Sequence, residues 1–215
     1  MSPSCYLDEI GFKNEVLDFF GPYFIANSSH LVCFEYHIDL KLQANEYCSK
    51  EGTRIPSTNG IWFAGSESPA LVRNLYLFSS ALEALSFFHF FTDKLQCPEQ
   101  IAIISVGISP SFGQISQLKS IYKNARIHLV FETALLGRLF DCRLSLWIKG
   151  KDAKFSFIKE KEAISIDFRN KNYLIPTSQL SLFAFEKRLG LRSGIRTHKP
   201  PKNFNSFYEL LLSSI

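Results

Sequence analysis

Two apolar segments of this sequence end in polar residues that could take part in chemistry. Residues 75–78 (LYLF) are followed by Ser79, and residues 127–131 (IHLVF) are followed by Glu132. Continuous apolar strands that alternate with helices are typical of a parallel sheet, whose sites lie at the carboxyl ends of the strands. We therefore expect Ser79 and Glu132 to lie at one edge of a sheet, together with Gly107, which ends a third strand over residues 101–106. A carboxylate such as Glu132 can move a proton at neutral pH, whereas the Ser79 hydroxyl cannot act in that way.

The second group of residues with potential chemistry is a basic segment near the end of the chain. Residues 187–202 contain six lysines and arginines, one histidine and no acidic residue, which exceeds the net charge of +4 of the whole chain. Glycines and prolines are expected to loosen its backbone, and clustered cations on a flexible backbone suit the neutralisation of phosphates. The alternative is a solvated loop. The candidate nucleic-acid-binding residues are Lys187, Arg188, Arg192, Arg196, His198, Lys199 and Lys202.

Composition limits the class of protein that can carry these residues. A chain of 215 residues with 46% hydrophobic and 20% charged residues is globular, and one domain with additions is expected. Five scattered cysteines without a Cys-x-x-Cys pair fit neither a zinc site nor a disulfide framework, and predict reduced thiols in the cytoplasm. No apolar run approaches the roughly eighteen residues of a membrane span, and no apolar signal core precedes residue 15, so neither a membrane partner nor export is expected.

The N-terminal third is predicted to be an extension of the main domain. A short helix is expected over residues 15–24. Apolar and polar residues then alternate over residues 32–42, which predicts a half-buried strand with His37 and Asp39 on its wet face. These two side chains would need further ligands to hold a metal, so a solvated face is favoured. Residues 44–59 are polar and contain Gly and Pro, and therefore predict a surface loop.

The C-terminal part is predicted to combine strands and helices. Short strands are expected at residues 155–158, 163–168 and 173–175, joined by polar turns, which predicts an antiparallel addition to the sheet. A helix is expected from residue 178 to residue 189, ending at Gly190.

The core segment resembles a known family. The order of a strand, a small-residue turn, "ALEALS", a strand ending in "SVG" and then "LVFETALLGR" resembles the Toprim domain of primases, topoisomerases and mobile-element proteins. In that family the first strand usually ends in a catalytic Glu, and the third in an Asp-x-Asp pair that holds magnesium before a Gly-Arg or Gly-Lys step. The resemblance places Ser79 at the Glu position, Glu132 and Ala134 at the Asp positions, and Gly137 with Arg138 at the final step.

The resemblance covers roughly residues 60–215 and implies a fold. That fold is α/β, with a Toprim-like parallel-sheet core flanked by helices, an N-terminal strand-containing extension and an antiparallel addition. The expected domains are 1–70, the extension with strand 32–42, and 71–215, the Toprim-like domain with the basic segment. Glu83 has two open interpretations: a family position near the former metal site, or a carboxylate favoured by the dipole of its own helix. Residues 202–205 (KNFN) also resemble a family motif that precedes a terminal helix.

The expected function depends on the two carboxylates of the family that this chain lacks, at Ser79 and Ala134. A vestigial site of Ser79, Glu83, Glu132 and Arg138, with no cofactor, implies a non-catalytic nucleic-acid-associated protein related to mobile-element primases or mobilisation proteins. Its partners would be DNA or RNA, and replication or transfer proteins. One alternative is a divergent Mg²⁺-dependent primase or nuclease that uses Glu83, Glu132 and Asp141, although Mg²⁺ depends on several charged oxygens. The other is a protein-interaction scaffold that binds through its aromatic N-terminal sheet.

Overall fold

The computed structural model describes residues 6–27 and 30–214. The predicted domain limits at residues 1 and 215, and the predicted thiol of Cys5, lie outside these residues. The helices are α1 (Tyr6–Glu9), α2 (Asn14–Phe20), α3 (Ala81–Phe90), α4 (Phe112–Ile121), α5 (Leu135–Trp147), α6 (Leu182–Leu189) and α7 (Phe207–Leu212). The strands are β1 (Ile25–Ala26), β2 (Val32–Ile38), β3 (Lys41–Ser49), β4 (Gly52–Arg54), β5 (Trp62–Gly65), β6 (Asn74–Phe78), β7 (Ile101–Ser105), β8 (Arg126–Val130), β9 (Lys154–Ile158), β10 (Ala163–Phe168), β11 (Lys171–Pro176) and β12 (Arg196–Thr197).

The central sheet has the strand order β12-β8-β6-β7-β5. β12, β8, β6 and β7 are parallel, and β5 pairs antiparallel with β7 at one edge. The three predicted core strands are therefore confirmed as neighbours in one mixed parallel and antiparallel sheet, within an α/β fold. Tyr76 and Phe78 of β6 belong to the apolar cluster that includes α3, whereas Leu75 and Leu77 belong to the cluster that includes α4 and α5. Both faces of β6 are thus buried, which explains its unbroken apolar sequence.

Serine side chains start the helices that follow the strands. The hydroxyl oxygens of Ser80, Ser181 and Ser206 accept a hydrogen bond from the main-chain N–H three residues later, at the start of α3, α6 and α7. Ser111 forms a reciprocal pair of such bonds with Gln114 at the start of α4. These caps satisfy N–H groups that the first helical turn leaves without partners. They fix where each helix begins relative to the strand before it.

The predicted strand over residues 32–42 is confirmed for residues 32–38 and wrong beyond them, because the structure divides this stretch at a tight turn. Asp39 and Leu40 have φ angles of 47° and 67°, and β3 returns antiparallel to β2. Within residues 44–59, predicted to be a loop, residues 44–49 belong to β3 and residues 52–54 form β4, whereas residues 55–59 are irregular as predicted. The alternation of apolar and polar residues continues across the turn, so the local pattern does not show the reversal. Pairing between β2 and β3, which is non-local, decides it.

The extension and the core share a sheet. β5 lies within the predicted extension, yet it pairs with β7 of the central sheet. Main-chain hydrogen bonds between His37 and Ile61, at 2.8 and 3.0 Å, also join β2 to the segment before β5. Residues 62–65 are therefore part of the core architecture.

The three C-terminal strands are confirmed, but they do not extend the central sheet. β11, β10 and β9 form a separate antiparallel sheet. Its buried residues Ile164 and Ile166 pack in one cluster with Leu146 of α5 and Phe185 of α6. The short strand β12 occupies the edge of the central sheet beside β8. The antiparallel sheet is therefore joined to the rest of the protein by packing of its apolar face against α5 and α6, and not by strand pairing with the central sheet.

Two expectations from composition can be compared with the structure. Within residues 6–27 and 30–214, no helix has both the length and the apolar character needed to cross a membrane. Cys33, Cys48, Cys97 and Cys142 are free thiols, in agreement with the predicted absence of a disulfide framework among them.

Candidate functional site

Ser79 and Glu132 meet at the carboxyl ends of two neighbouring strands, as predicted. Phe78 of β6 and Val130 of β8 are paired in register, which brings the residues that follow them together. The Ser79 hydroxyl donates a hydrogen bond of 2.5 Å to Oε1 of Glu132. Gly107, at the end of the third strand, has a φ of 74°, and the N–H of the next residue donates to a carbonyl of the segment before β5. Gly107 therefore allows the chain after β7 to contact the loop before β5.

Lys199 places a positive charge beside Glu132 and Asp141. We call the region formed by Ser79, Glu132, Asp141 and Lys199 the strand-end site. Nζ of Lys199 donates to the main-chain carbonyl oxygens of Phe131 at 2.8 Å and Glu132 at 3.0 Å, and lies 2.7 Å from Oδ2 of Asp141. The Lys199 side chain is 27% exposed and that of Asp141 only 2%. The sequence predicted Lys199 as a phosphate-binding residue, but in the structure its ammonium group is used within the protein.

Burial dominates the electrostatics of Asp141. Removal from water raises the pKa of its carboxyl group to about 6, although the Lys199 ammonium group acts in the opposite direction; the nearby Glu132 charge raises it further. At neutral pH Asp141 is therefore mainly ionised and paired with Lys199. Its second oxygen, Oδ1, is buried and has no hydrogen-bond partner among the residues that the structure describes.

Glu83 caps a helix other than its own. Its two carboxylate oxygens accept hydrogen bonds from the main-chain N–H groups of Phe207, at 2.5 Å, and Tyr208, at 3.1 Å, at the start of α7. Burial raises the pKa of Glu83 to about 7 against the effect of these two donors, and the Glu132 charge raises it further. Glu83 thus lies near the strand-end site, but both of its oxygens already accept hydrogen bonds from the backbone.

The start of α5 comes very close to the strand-end site. A Cβ atom at Gly137 would lie only 2.8 Å from the main-chain nitrogen of Glu132, so a side chain there would force the backbone apart. Ala134, at the second Asp position of the resemblance, lies at the start of α5 and supplies no oxygen ligand from its side chain. Glycine at residue 137 is therefore required for this close approach.

Arg138 is turned to another part of the molecule. Its Nη1 donates to the main-chain carbonyls of Thr177 at 2.8 Å and Leu180 at 3.2 Å, which links α5 to the segment before α6. Of the four predicted vestigial residues, Ser79 and Glu132 are in contact, Glu83 is close to them, and Arg138 bonds elsewhere.

The strand-end site balances charge within the protein. The Lys199 ammonium group is surrounded by two carbonyl oxygens and a carboxylate oxygen, which are ligands of the type that Mg²⁺ prefers. Within residues 6–27 and 30–214, no group of three or more His, Cys, Asp and Glu residues is arranged to hold a metal ion. What this arrangement can do chemically is neutralise a buried carboxylate and fix the chain after β12.

A third buried carboxylate, which the sequence did not predict, lies at the start of α3. Glu46 of β3 accepts hydrogen bonds from the N–H groups of Ala81 at 2.9 Å and Leu82 at 3.0 Å, and from the Tyr36 hydroxyl at 2.6 Å. Burial raises the pKa of Glu46, while these donors lower it. The Tyr36 oxygen also bonds to the hydroxyl of Ser105 at 2.6 Å. Glu46 therefore ties the N-terminal sheet to the start of α3.

A signal for Glu46 was present in the sequence. Apolar residues continue at every second position after the turn, at Leu42, Ala44 and Cys48, and Glu46 falls in the same register. A glutamate on the apolar face of a strand indicates a buried carboxylate that needs donors. The glycine and proline content of residues 44–59 concealed this pattern.

The basic segment is held on a fixed backbone. α6 ends at Gly190, which has a φ of 63°, and Arg196 lies in β12, paired with β8. Lys199 is anchored at the strand-end site. Five of the seven predicted residues are exposed and form no ion pair with any residue that the structure describes: Lys187, Arg188, Arg192, Arg196 and Lys202.

His198 is half-buried and stacks on His128 instead of joining these cations. Its Nε2 lies 2.8 Å from Nδ1 of His128, whose Nε2 is 3.1 Å from Oδ1 of Asn74. Burial, followed by the positive charges around it, lowers the pKa of His128 to about 3; burial also lowers the pKa of His198. Lys94, Arg126 and Arg196 are among those charges, so these three basic residues lie near His128.

Comparison with protein-family models, with curated proteins and with solved structures gave no match.

Proposed function

We propose that this chain is a non-catalytic, Toprim-like module that binds DNA or RNA by neutralising backbone phosphates. The observation that carries the proposal is the set of five exposed cations in residues 187–202. None of them is paired with a carboxylate among the residues that the structure describes, and their backbone is fixed by α6, β12 and the Lys199 anchor. Phosphate contacts of this kind supply affinity and orientation, with little sequence preference.

The surroundings of Arg196 support a phosphate-binding surface. Lys94 and Arg126 lie close enough for their charges to contribute to the low pKa of His128. With Arg196 they bring positive charge to the surroundings of His128 in β8, although Lys94 also lies 3.9 Å from Oδ2 of Asp93. A polyanion bound in these surroundings would meet cations from three different segments.

The strand-end site supports the non-catalytic part of the proposal. Ser79 stands where the resemblance expects the catalytic Glu, and its hydroxyl donates to Glu132. Asp141 is bound to Lys199, and Glu83 to the start of α7. Mg²⁺ needs charged oxygens that are free to replace its waters. Each carboxylate here accepts at least one hydrogen bond from the protein itself, although Oδ1 of Asp141 has no partner among the described residues.

The test measures the salt dependence of binding to DNA and to RNA. In the variant Arg192→Ala/Arg196→Ala/Lys202→Ala, affinity should fall for every sequence, and the slope of log affinity against log salt should flatten by about 0.7 to 0.9 for each phosphate that is no longer neutralised. The control variant Lys41→Ala/Lys123→Ala/Lys159→Ala removes the same charge from exposed positions elsewhere and should bind almost as the parent does.

Two results would contradict the proposal. An equal loss of affinity in both triple variants would indicate general attraction to a basic protein, and no binding at low salt would favour the protein-interaction scaffold.

The divergent enzyme remains the alternative for the strand-end site, since Oδ1 of Asp141 lacks a partner among the described residues. A tight Mg²⁺ site in calorimetry that disappears in Glu132→Gln would support that alternative.

A further inference from the structure

A cavity of about 570 Å³ opens between the N-terminal sheet and the central sheet, far along the chain from the basic segment. It lies between the outward face of β2, the segment that follows α2, the strand β5 and the helix α4; we call it the β2–α4 cavity. Its volume falls within the range of roughly 300 to 1,000 Å³ that is usual for small-molecule sites. The proposed function assigns it no role.

The walls of the β2–α4 cavity are mostly apolar and rich in aromatic rings. Four aromatic residues from two separate segments contribute to it, together with aliphatic residues of α4. The apolar lining residues include Tyr23, Phe24, Trp62, Phe63, Leu118 and Ile121, of which Trp62 and Leu118 are almost fully buried. Such walls bury the body of an organic ligand, because apolar surface removed from water is stabilising.

Hydrogen bonds hold these walls in place without a ligand. Nε1 of Trp62 donates to the carbonyl of Tyr23 at 2.7 Å, and the Tyr23 hydroxyl donates to the carbonyl of Gly65 at 3.4 Å. On the α4 side, Nε2 of Gln114 donates to the carbonyl of Gly60 at 2.8 Å. Because the site is formed in advance, a ligand loses little free energy in ordering it.

The charged groups of the cavity are acidic. Glu35 and Asp39 line it together with His37, and no lysine or arginine is among the described residues that line it, although the chain as a whole carries a net charge of +4. Nε2 of His37 lies 3.6 Å from Oε2 of Glu35, and both side chains remain more than one-third exposed. The side-chain amides of Asn59 and Gln117 line the same space and form no hydrogen bond with the described residues.

We propose that the β2–α4 cavity binds a small organic cation, an amine whose ammonium group is carried on an aromatic or alkyl body. Glu35 and Asp39 would pair with the ammonium group, since charge-assisted hydrogen bonds to carboxylates are among the stronger ones in proteins. The aromatic walls would cover the body, and ring faces also attract cations. An anionic ligand of the same shape would meet two carboxylates, and no lysine or arginine is among the described residues that line the cavity.

The test uses three probes that share one phenylbutyl body and differ in charge: 4-phenylbutylamine, 4-phenylbutanol and 5-phenylpentanoate. Binding to the full chain is measured by calorimetry and ligand-observed NMR. The amine should bind about tenfold more tightly than the alcohol, because hydrogen bonds to charged groups are worth more than neutral ones, and the carboxylate should bind least. Equal binding of all three probes, or no binding of the amine, would overturn the proposal.

Two variants locate the binding. Glu35→Gln/Asp39→Asn should reduce the affinity for the amine to that for the alcohol, while the affinity for the alcohol stays nearly unchanged. Asn tolerates the positive φ of residue 39, so the turn is kept. Ile121→Lys adds a cation at an exposed wall position and should weaken the binding of the amine and strengthen that of the carboxylate probe. Unchanged amine affinity in both variants would show that the amine binds elsewhere and would also overturn the proposal.

Discussion

The strand-end site and the basic segment adjoin at Lys199, yet their charged groups differ in burial and in whether they have partners within the protein. At the strand ends Glu83 and Asp141 are buried, and each is bound to donors of the protein itself. In the basic segment, five cations are exposed and have no carboxylate partner among the described residues. Lys199 belongs to the segment by sequence and to the strand-end site by contact.

This difference separates charges that serve the fold from charges that are free for a partner. A buried carboxylate without donors would cost several kcal/mol, so the donors around it are part of the stability of the protein. An exposed cation costs little and gains little until a polyanion approaches. Substitutions should therefore change the stability at the strand ends and the binding in the basic segment.

The largest effect on stability is expected for Lys199→Met. The substitution leaves Asp141 buried without its counter-ion, and loss of one partner of such a pair costs about 3 to 5 kcal/mol. Denaturant unfolding of the variant measures this loss. The matched control Lys202→Met, at an exposed position, should change the free energy of unfolding by less than about 0.5 kcal/mol.

A second substitution tests whether the loss of stability comes from the unpaired carboxylate. Lys199→Met/Asp141→Leu removes both charges and should be more stable than Lys199→Met alone, because an apolar pair leaves no buried charge. A double variant that is as unstable as the sum of the two single variants would mean that Lys199 stabilises through packing alone.

The next effect is a pH dependence that originates at Glu83. Its pKa is raised from its usual value to about 7 in the folded protein, so the folded state holds the proton more tightly than the unfolded state. The free energy of unfolding contributed by Glu83 should therefore decrease as the pH rises from about 4.5 to 7. Relative to Glu83→Gln, the parent should gain roughly 2 to 3 kcal/mol between about pH 8 and pH 5. A constant difference across this range would contradict the assignment, and Glu67→Gln, at an exposed position, is the control.

A smaller effect concerns the backbone of the strand-end site. Gly137→Ala places a Cβ against the backbone of Glu132 and should destabilise the protein by about 1 to 3 kcal/mol. Gly113 lies in α4 with open space around it, so Gly113→Ala should stabilise the protein by up to about 1 kcal/mol. Thermal unfolding of the two variants should shift in opposite directions. A shift in the same direction would show that α5 can move away from Glu132 at little cost.

The smallest effect on stability is expected for Arg192→Ala/Arg196→Ala/Lys202→Ala. These exposed side chains form no ion pairs with the described residues, so the free energy of unfolding should stay within about 0.5 kcal/mol of that of the parent. Circular dichroism and denaturant unfolding measure this. A large loss of stability would mean that these cations, like Lys199, stabilise the folded protein, and would contradict the contrast between the two regions.

The sequence predicted the core strands better than the turn at Asp39 or the placement of the antiparallel sheet, because only the core strands are determined by a local pattern. The core strands were predictable because both faces of β6 and β7 are buried, which leaves a continuous apolar run. The turn at Asp39 was not predictable from alternation, because a strand reversal leaves the period of two unchanged. The antiparallel strands were predictable as elements, but their separation from the central sheet depends on packing against α5 and α6.

By itself, the sequence determined the α/β class, the positions of the core strands, the meeting of Ser79 with Glu132, and the cluster of cations in residues 187–202. These features depend on local composition and on the rule that parallel strands end at one edge. Only the tertiary structure decided which charges are free. Lys199 differs from Lys202 because β12 brings it against Asp141, and Glu46 caps α3 because β3 folds back on β2. Contacts between residues far apart in the chain decide whether a charge is neutralised inside the protein or left for a partner.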